Sequence, residues 1–272
     1  MVLLAEVINV LNKLAPLKLA FPGDPTGFQI SGFNKEALEK KLIKTVAVAL
    51  DPSIEAIQYA VDAKAQILIT HHPVFFGSVT SLSEELLQKV RMLTSNYISL
   101  YVAHTNWDAA ENGSNDTLID LLGLRKTGIF RVEAADGVEL PIGRLCKPPA
   151  ELMSLKLFLE VISEKLRPQS IAYTGSLDDE VNEVVVCTGA ASDIKILRKA
   201  VKMGADTYLT GSASHHSFLF AKENSLKLIA AGHLETENPG MKRFSQILQI
   251  ELPDIKIKFF DSKPPEKYAK LT

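Results

Sequence analysis

Six histidines occur in the chain, at positions 71, 72, 104, 215, 216 and 233. A neutral imidazole ligates divalent metals, and imidazole is the side chain that titrates closest to neutral pH. In "ILITHHPVFF" (67–76), His71 and His72 directly follow four strand-forming residues and precede Pro73. Neighbouring side chains on a strand diverge, yet both rings reach one crevice once the chain turns at the proline. Such a pair can serve two adjacent metal ions, one imidazole each. "AHTNWDAAENG" sets Asp108 four residues after His104, and "AGHLETENPG" sets Glu237 four residues after His233. That separation fits one helical turn or a tight loop, with both side chains facing one point.

Each element also has a plain structural reading. The His-His-Pro pair reads as packed or solvent-facing rings, Asp108 as the cap of a following helix, and Glu235 as a competitor of Glu237. Taken as ligands, histidines and carboxylates without cysteine suit Zn, Mn, Fe, Co or Ni better than Mg or Ca. Paired ions in hydrolytic sites stand about 3.5–4 Å apart, bridged by a carboxylate and a water. His104 is the candidate for shuttling protons. His216 reads as a group behind the ligands or facing a substrate, and His215 as structural. Trp107, the single tryptophan, reads as packing the site wall or stacking on a substrate.

The elements that must position these residues alternate between strand and helix. "TVAVAL" (45–50) reads as a buried strand, followed by a helix that Asp51 can cap with Pro52 in its first turn. "QILIT" (66–70), a helix over 81–95, a strand over 97–103 and a helix over 115–124 with Asn115 as N-cap continue the pattern. A hairpin or an irregular crossing fits 126–150, and a helix follows over 152–166. Then come a strand in "VNEVVVCTGA", a helix, a strand in "DTYLTG", a strand over 225–233, a helix beginning at Met241, and an alternating strand over 255–260. This order implies α/β architecture with mainly parallel sheets covered by helices. His71, His72, His104 and His233 then fall at carboxyl ends of strands, where ligands of open α/β sheets bind. A faint repeat, "AVDAKAQILIT" (60–70) against "AVKMGADTYLT" (200–210), favours two α/β halves.

Composition excludes several classes. Apolar residues make up 46% and charged residues 23% of the 272, with a net charge of −2, as in soluble globular proteins. There is no basic footprint for nucleic acid or anionic membrane, and no apolar run long enough to span a bilayer. Cys146 and Cys187 stand far apart, which excludes a disulfide framework and reads as two buried thiols of a cytoplasmic protein. Leu4, Val7, Ile8, Leu11 and Leu14 recur at helical spacing, so the opening segment reads as an amphipathic helix rather than a signal peptide.

The sequence resembles the Nif-three-like family, whose members are often labelled homologues of GTP cyclohydrolase 1 type 2. "GDPTGFQISG" (23–32), "AVALDPSIEAIQYAV", "ITHHPVFF", "AHTNWDAAENGSNDTLIDLLGL", "GADTYLTG" and "AAGHLETE" carry the likeness. The resemblance implies two divalent metal ions held by His71, His72, Asp108, His233 and Glu237, with Glu237 as the bridge and His104 beside them. It implies a metal-binding α/β domain built from 1–125 plus 230–272, with a second α/β domain (126–229) inserted, and assembly as a homohexamer. The chain departs from the family pattern at Asp24-Pro25-Thr26-Gly27, where Asn usually follows Asp, and at Ser212, where an acid often follows Thr-Gly. The expected function is metal-dependent hydrolysis of a small anionic or nucleotide-like substrate. No P-loop or other glycine-rich phosphate cradle is present. Two rivals use the same ligands: a metal-delivery or scaffold protein, and a purely structural metal.

Overall fold

Continuous runs of buried, β-branched residues are what a parallel strand covered on both faces requires, and three such runs build the first half of the protein. In chain order the strands are β1 (Val2–Leu3), β2 (Gly27–Ile30), β3 (Leu42–Ile43), β4 (Thr45–Ala49), β5 (Ile67–Thr70) and β6 (Ser99–Val102). They continue as β7 (Arg125–Glu133), β8 (Glu139–Lys147), β9 (Ala172–Tyr173), β10 (Val184–Val186), β11 (Thr207–Thr210), β12 (Lys227–Ala230) and β13 (Lys256–Phe259). The helices are α1 (Leu4–Leu14), α2 (Ile54–Asp62), α3 (Glu84–Ser95), α4 (Thr105–Ala109) and α5 (Ser114–Leu122). After them come α6 (Leu155–Leu166), α7 (Ile194–Lys202), α8 (His215–Glu223) and α9 (His233–Glu251). This computed structural model describes residues 1–32, 40–134 and 137–269.

The chain forms two compact units, Met1–Gly113 with Met241–Ser262, and Ser114–Gly240 with Lys263–Thr272. The divisions fall at 113 and 240, whereas the family resemblance implied 125 and 229. The difference is α5, Arg125 at the start of β7, the segment opening α9 and the C-terminal stretch from Lys263, all of which belong to the second unit.

In the first unit the sheet order is β13-β4-β5-β6-β2 among the described residues. The first four strands run parallel, and β2 closes the edge antiparallel to β6. Strands β4, β5 and β6 are buried along their whole length. Ala47, Ala49, Leu68 and Leu100 pack with Ala56, Ile57 and Ala60 of α2 and Leu93 of α3. The small alanines at this contact let α2 lie close to the sheet. Ser53, not Asp51, caps α2, accepting the amide of Ala56; Asp51 is engaged elsewhere. β13 is an edge strand with Lys256 and Lys258 exposed, a pattern that discourages pairing with another chain.

The second unit carries a mixed sheet, β7-β8-β10-β11-β12-β9, in which β10, β11 and β12 run parallel. The stretch after residue 125 is an antiparallel hairpin, β7 with β8, and not an irregular crossing. Its loop residues 135 and 136 lie outside the described residues. Leu118 and Leu122 of α5, Phe158 and Ile162 of α6, Val184, Val186, Leu209 and Ile229 make one core cluster. Burying side chains of this size stabilises by about 1.5–3 kcal/mol each. Asn115 lies inside α5 and not at its cap. Its amide donates to Ile142 O at 3.0 Å and its oxygen accepts Thr188 N at 3.0 Å, so it ties the helix to the sheet.

The helix expected from Met241 begins eight residues earlier, at His233. "ENPG" reads as a turn from propensity, yet α9 runs through Pro239 and Gly240. Packing decides: a Cβ on Gly240 would stand 2.8 Å from Ser114 Cα, so this glycine serves close approach to α5. Both buried thiols, Cys146 and Cys187, are free, and burial pushes the Cys146 thiol up to about 12. Among the described residues no helix is long and apolar enough to cross a membrane.

Asp116 and Arg144 form the principal buried charge pair of the second unit. The guanidinium grips both carboxylate oxygens, Nε to Oδ1 at 2.8 Å and the second amino group to Oδ2 at 3.0 Å, and Lys126 reaches Oδ1 at 3.0 Å. Burial acts to raise the Asp116 pKa, but Arg144 and Lys126 outweigh it and hold the carboxyl below its usual value. Asp116→Ala strands a guanidinium that is 2% exposed, so a loss of about 3–5 kcal/mol is expected in urea unfolding. A depressed carboxylate stabilises above its unfolded pKa and ceases to do so as pH falls through the folded one. The gap between wild type and variant should hold from neutral pH down to about 5 and close below about 4.

Candidate metal centre

Because β4, β5 and β6 are parallel and adjacent, the residues leaving their carboxyl ends come together on one edge. Leu50 and Asp51 leave β4, His71 and His72 leave β5, and Ala103 and His104 leave β6. The sheet ladder extends into this edge: Leu50 O accepts the amides of both His71 and His72 at 3.0 Å, and Thr70 O accepts Ala103 N at 2.9 Å. The opening loop is pinned too. Gln29 accepts the amides of Val74 and Phe75 and donates to Phe75 O at 2.7 Å, which fixes the turn after His-His-Pro.

Three imidazoles meet here. The rings of His71, His72 and His104 have centroids 5.0–5.7 Å apart, and one nitrogen from each lies within 4.8 Å of the others. In every case Nδ1 faces an oxygen. For His71 it is the Ala103 carbonyl at 2.8 Å, for His72 Asp51 Oδ1 at 2.7 Å, and for His104 Asp24 Oδ1 at 2.7 Å. A carbonyl or carboxylate oxygen accepts and does not donate, so Nδ1 carries the proton and Nε2 presents its lone pair. This is the arrangement in which a ligating histidine is oriented from behind. Asp24 is itself fixed by Thr105, whose hydroxyl donates to Oδ2 at 2.5 Å and whose amide donates at 3.2 Å. Burial works to raise the Asp24 pKa, but His104 and Thr105 prevail and hold it below the ordinary carboxylate value.

Asp108 lies in the short helix α4 rather than a loop, with Oδ2 at 3.5 Å from His71 Nε2. The helix entry thus aims this carboxylate at the face that His71 leaves open. Trp107 points the other way. It is fully buried, edge-on to Phe244 at 4.8 Å, and packs the wall rather than stacking on a ligand.

In the second unit, His233 opens α9 and Glu237 follows one turn later, with Nε2 3.0 Å from Oε2. Glu237 is 3% exposed and is the carboxylate that meets His233; Glu235 stands aside, its pKa raised by burial and by Glu266. The backbone beneath is glycine by necessity. Gly189 adopts φ +67°, and a Cβ there would stand 2.0 Å from Glu237 Oε1. Ser212 Oγ lies 3.2 Å from His233 Nδ1. His215 and His216 occupy the first turn of α8, capped by Ser214, and both are exposed; His215 is no core residue.

Asp51 and Asp24 were missed as partners of histidines. Asp51 immediately follows β4, so its place on the same sheet edge was open to the strand-end argument. Asp24 precedes His104 by eighty residues, and no local signal joins them. Ligand chemistry fits a divalent metal: His71, His72 and His104 present Nε2 lone pairs, and Asp108 adds an anionic oxygen.

The chain is similar to known proteins along nearly its whole length. A protein of Clostridium perfringens named "GTP cyclohydrolase 1 type 2 homolog" is 30% identical over 262 residues, covering 96% of each chain. The structure of reduced HcgD from Methanocaldococcus jannaschii superposes with a TM-score of 0.80 at 29% identity, covering 96% of this chain and 98% of that one. A Bacillus cereus protein related to NIF3 shares the fold with a TM-score of 0.84 at 21% identity, covering 97% and 98%. The family described as Duf34/NIF3 (NGG1p interacting factor 3) matches residues 2–265, and the chain belongs to it.

Proposed function

We propose that the protein binds two divalent metal ions and uses them to hydrolyse a small anionic or nucleotide-like substrate. The observation that carries this is that His71 and His72 each have Nδ1 tied to an acceptor oxygen, which turns Nε2 to the site, with His104 held in the same way beside them. His71, His72 and Asp108 of the first unit, and His233 and Glu237 of the second, would hold the ions. Zn, Fe, Mn, Co and Ni all suit this donor set. When bound, such ions lower the pKa of a coordinated water toward about 7 and polarise the bond under attack. The chain's own residues do the rest. Asp51 and the Ala103 carbonyl hold the His72 and His71 rings in one tautomer. His104, held by the ionised Asp24, accepts or returns a proton at Nε2 beside the ligands.

The names of the relatives support a cyclohydrolase-like substrate, a purine nucleotide, as the first to try. A second reading, a protein that delivers metal to others, draws support from His233, whose side chain is 39% exposed. Metal exchange separates the two: a carrier surrenders its ions to an acceptor apoprotein, whereas a hydrolase retains them through turnover. Assembly as a homohexamer is part of the proposal and is checked by light scattering. A cytoplasmic location accords with two free, buried thiols.

Metal-loaded protein incubated with nucleotide and phosphoester panels should turn one of them over, while the His71→Ala, His72→Ala double variant should not. Equal rates for the two would sink the hydrolase reading. Since imidazole must be neutral to ligate, metal content after dialysis should be full at pH 7.5 and fall below about pH 6. Unchanged content at acid pH argues against histidine ligands. Asp51→Asn, which weakens the acceptor behind His72, should lower metal affinity about 10–100-fold in chelator competition while leaving the melting temperature nearly unchanged.

A further inference from the structure

The sheet of the first unit has a second edge, at the amino ends of β13, β4 and β5, one strand length from the histidines. A cavity of about 530 Å³ opens there, lined by Lys44, Lys64, Lys256 and Lys258 together with Gln66 and Asp254. Main-chain hydrogen bonds hold these segments side by side. Lys256 N donates to Lys44 O at 2.9 Å, and Gln66 N donates to Thr45 O at 3.0 Å. Lys256 and Lys258 share one face of β13, since side chains alternate along a strand. Among the described residues, none of the four lysines has a carboxylate within ion-pairing distance, and Asp254 is the one acid in the lining.

Single lysines here have ordinary reasons. Lys64 follows the carboxyl end of α2, where a cation complements the helix dipole, and lysines on β13 guard a sheet edge. Neither reason requires the four to converge on one cavity. The second unit supplies a comparison, through the repeat that aligns 60–70 with 200–210. There Gly204 takes the turn with φ +85°. Asp206 accepts the amides of Asn182 and Glu183 at 3.0 and 3.2 Å and pairs with Lys227 at 3.3 Å. In the first unit Lys64 holds the matching turn at φ +53°, a conformation that favours glycine. Gln66 stands where Asp206 does, accepting the amides of Lys44 and Thr45 at 2.7 and 3.3 Å, but it carries no negative charge. A lysine thus sits where glycine fits better, and an amide sits where a carboxylate would neutralise the cluster.

We propose that this cavity binds an oligophosphate, a chain of two or three phosphates, held by the amino groups of Lys44, Lys64, Lys256 and Lys258. Such a chain carries the charge to engage all four lysines, and phosphate oxygens accept strong charge-assisted hydrogen bonds from ammonium groups. No aromatic side chain is in the described lining, so a base attached to the phosphates would have nothing to stack on. The cavity is of small-ligand size, and a chain with a net charge of −2 has no extended basic surface for nucleic acid. An anion seated here contacts none of the histidines at the opposite edge. The site is therefore independent of the metal reading and suits an effector rather than a substrate.

The test is isothermal titration calorimetry on the full chain, stripped with chelator and then dialysed free of it, so that no bound metal captures phosphate. Sodium tripolyphosphate should bind once per chain, at least as tightly as ATP, and more weakly as salt is raised; adenosine should not bind. The His71→Ala, His72→Ala double variant should bind tripolyphosphate as wild type does. Lys64→Gly should weaken binding at least about 10-fold, the loss expected for one charged contact, while its melting temperature holds or rises. Lys256→Gln combined with Lys258→Gln, at exposed positions, should weaken binding by at least as much. Absence of tripolyphosphate binding, equal competition by sulfate at matched ionic strength, or full affinity in both lysine variants overturns the proposal. Tighter binding of ATP than of tripolyphosphate, or of a short single-stranded RNA than of either, overturns it too.

Discussion

The first-unit site depends on one constraint: three parallel strands end side by side, so their next residues share an edge. From that follow the convergence of His71, His72 and His104 and the approach of Asp51 from the neighbouring strand. Parallel order also makes the edge rigid, because backbone hydrogen bonds from Leu50 and Thr70 carry the ladder past the last strand residue. Rings mounted on such a frame need few further contacts to be fixed. One oxygen behind each Nδ1 suffices, and each ring has one.

Acceptors behind the rings do more than orient. Asp24, held below the ordinary carboxylate value, and the Ala103 carbonyl bring negative charge and dipole to the back of the imidazoles, which favours a cation in front of them. The second unit meets the same chemical need by another route. There a helix start supplies His233 and Glu237 one turn apart, and glycine at 189 clears room for the carboxylate. The His233 ring is backed by the Ser212 hydroxyl and is partly open to solvent.

Much of this was legible in the sequence, because strand ends are easily read. "TVAVAL" and "QILIT" are continuous apolar runs that only a covered parallel strand explains, and the histidines abut them. The alternating "IKIKFF" reads as a strand by period-two patterning instead, and it is β13. Long-range pairings were not legible. Nothing near Asp24 announces that it will meet His104, and Asn115 looks like a cap until Ile142 and Thr188 are seen to share it. Local propensity misled at Pro239 and Gly240, where packing against Ser114 extends α9 through a turn-like tetrapeptide. The family resemblance named candidate ligands; the structure adds the oxygens that stand behind His71, His72 and His104.

The central claim is that His71 and His72 ligate through Nε2 with Nδ1 held from behind. Crystals soaked in Zn2+, with anomalous differences measured at the zinc edge, test it most directly. The account predicts anomalous peaks about 2.0–2.1 Å from the Nε2 atoms of both rings, with the Asp51 and Ala103 contacts intact. Peaks bound to Nδ1, or no zinc at this edge while other surface sites fill, would contradict it.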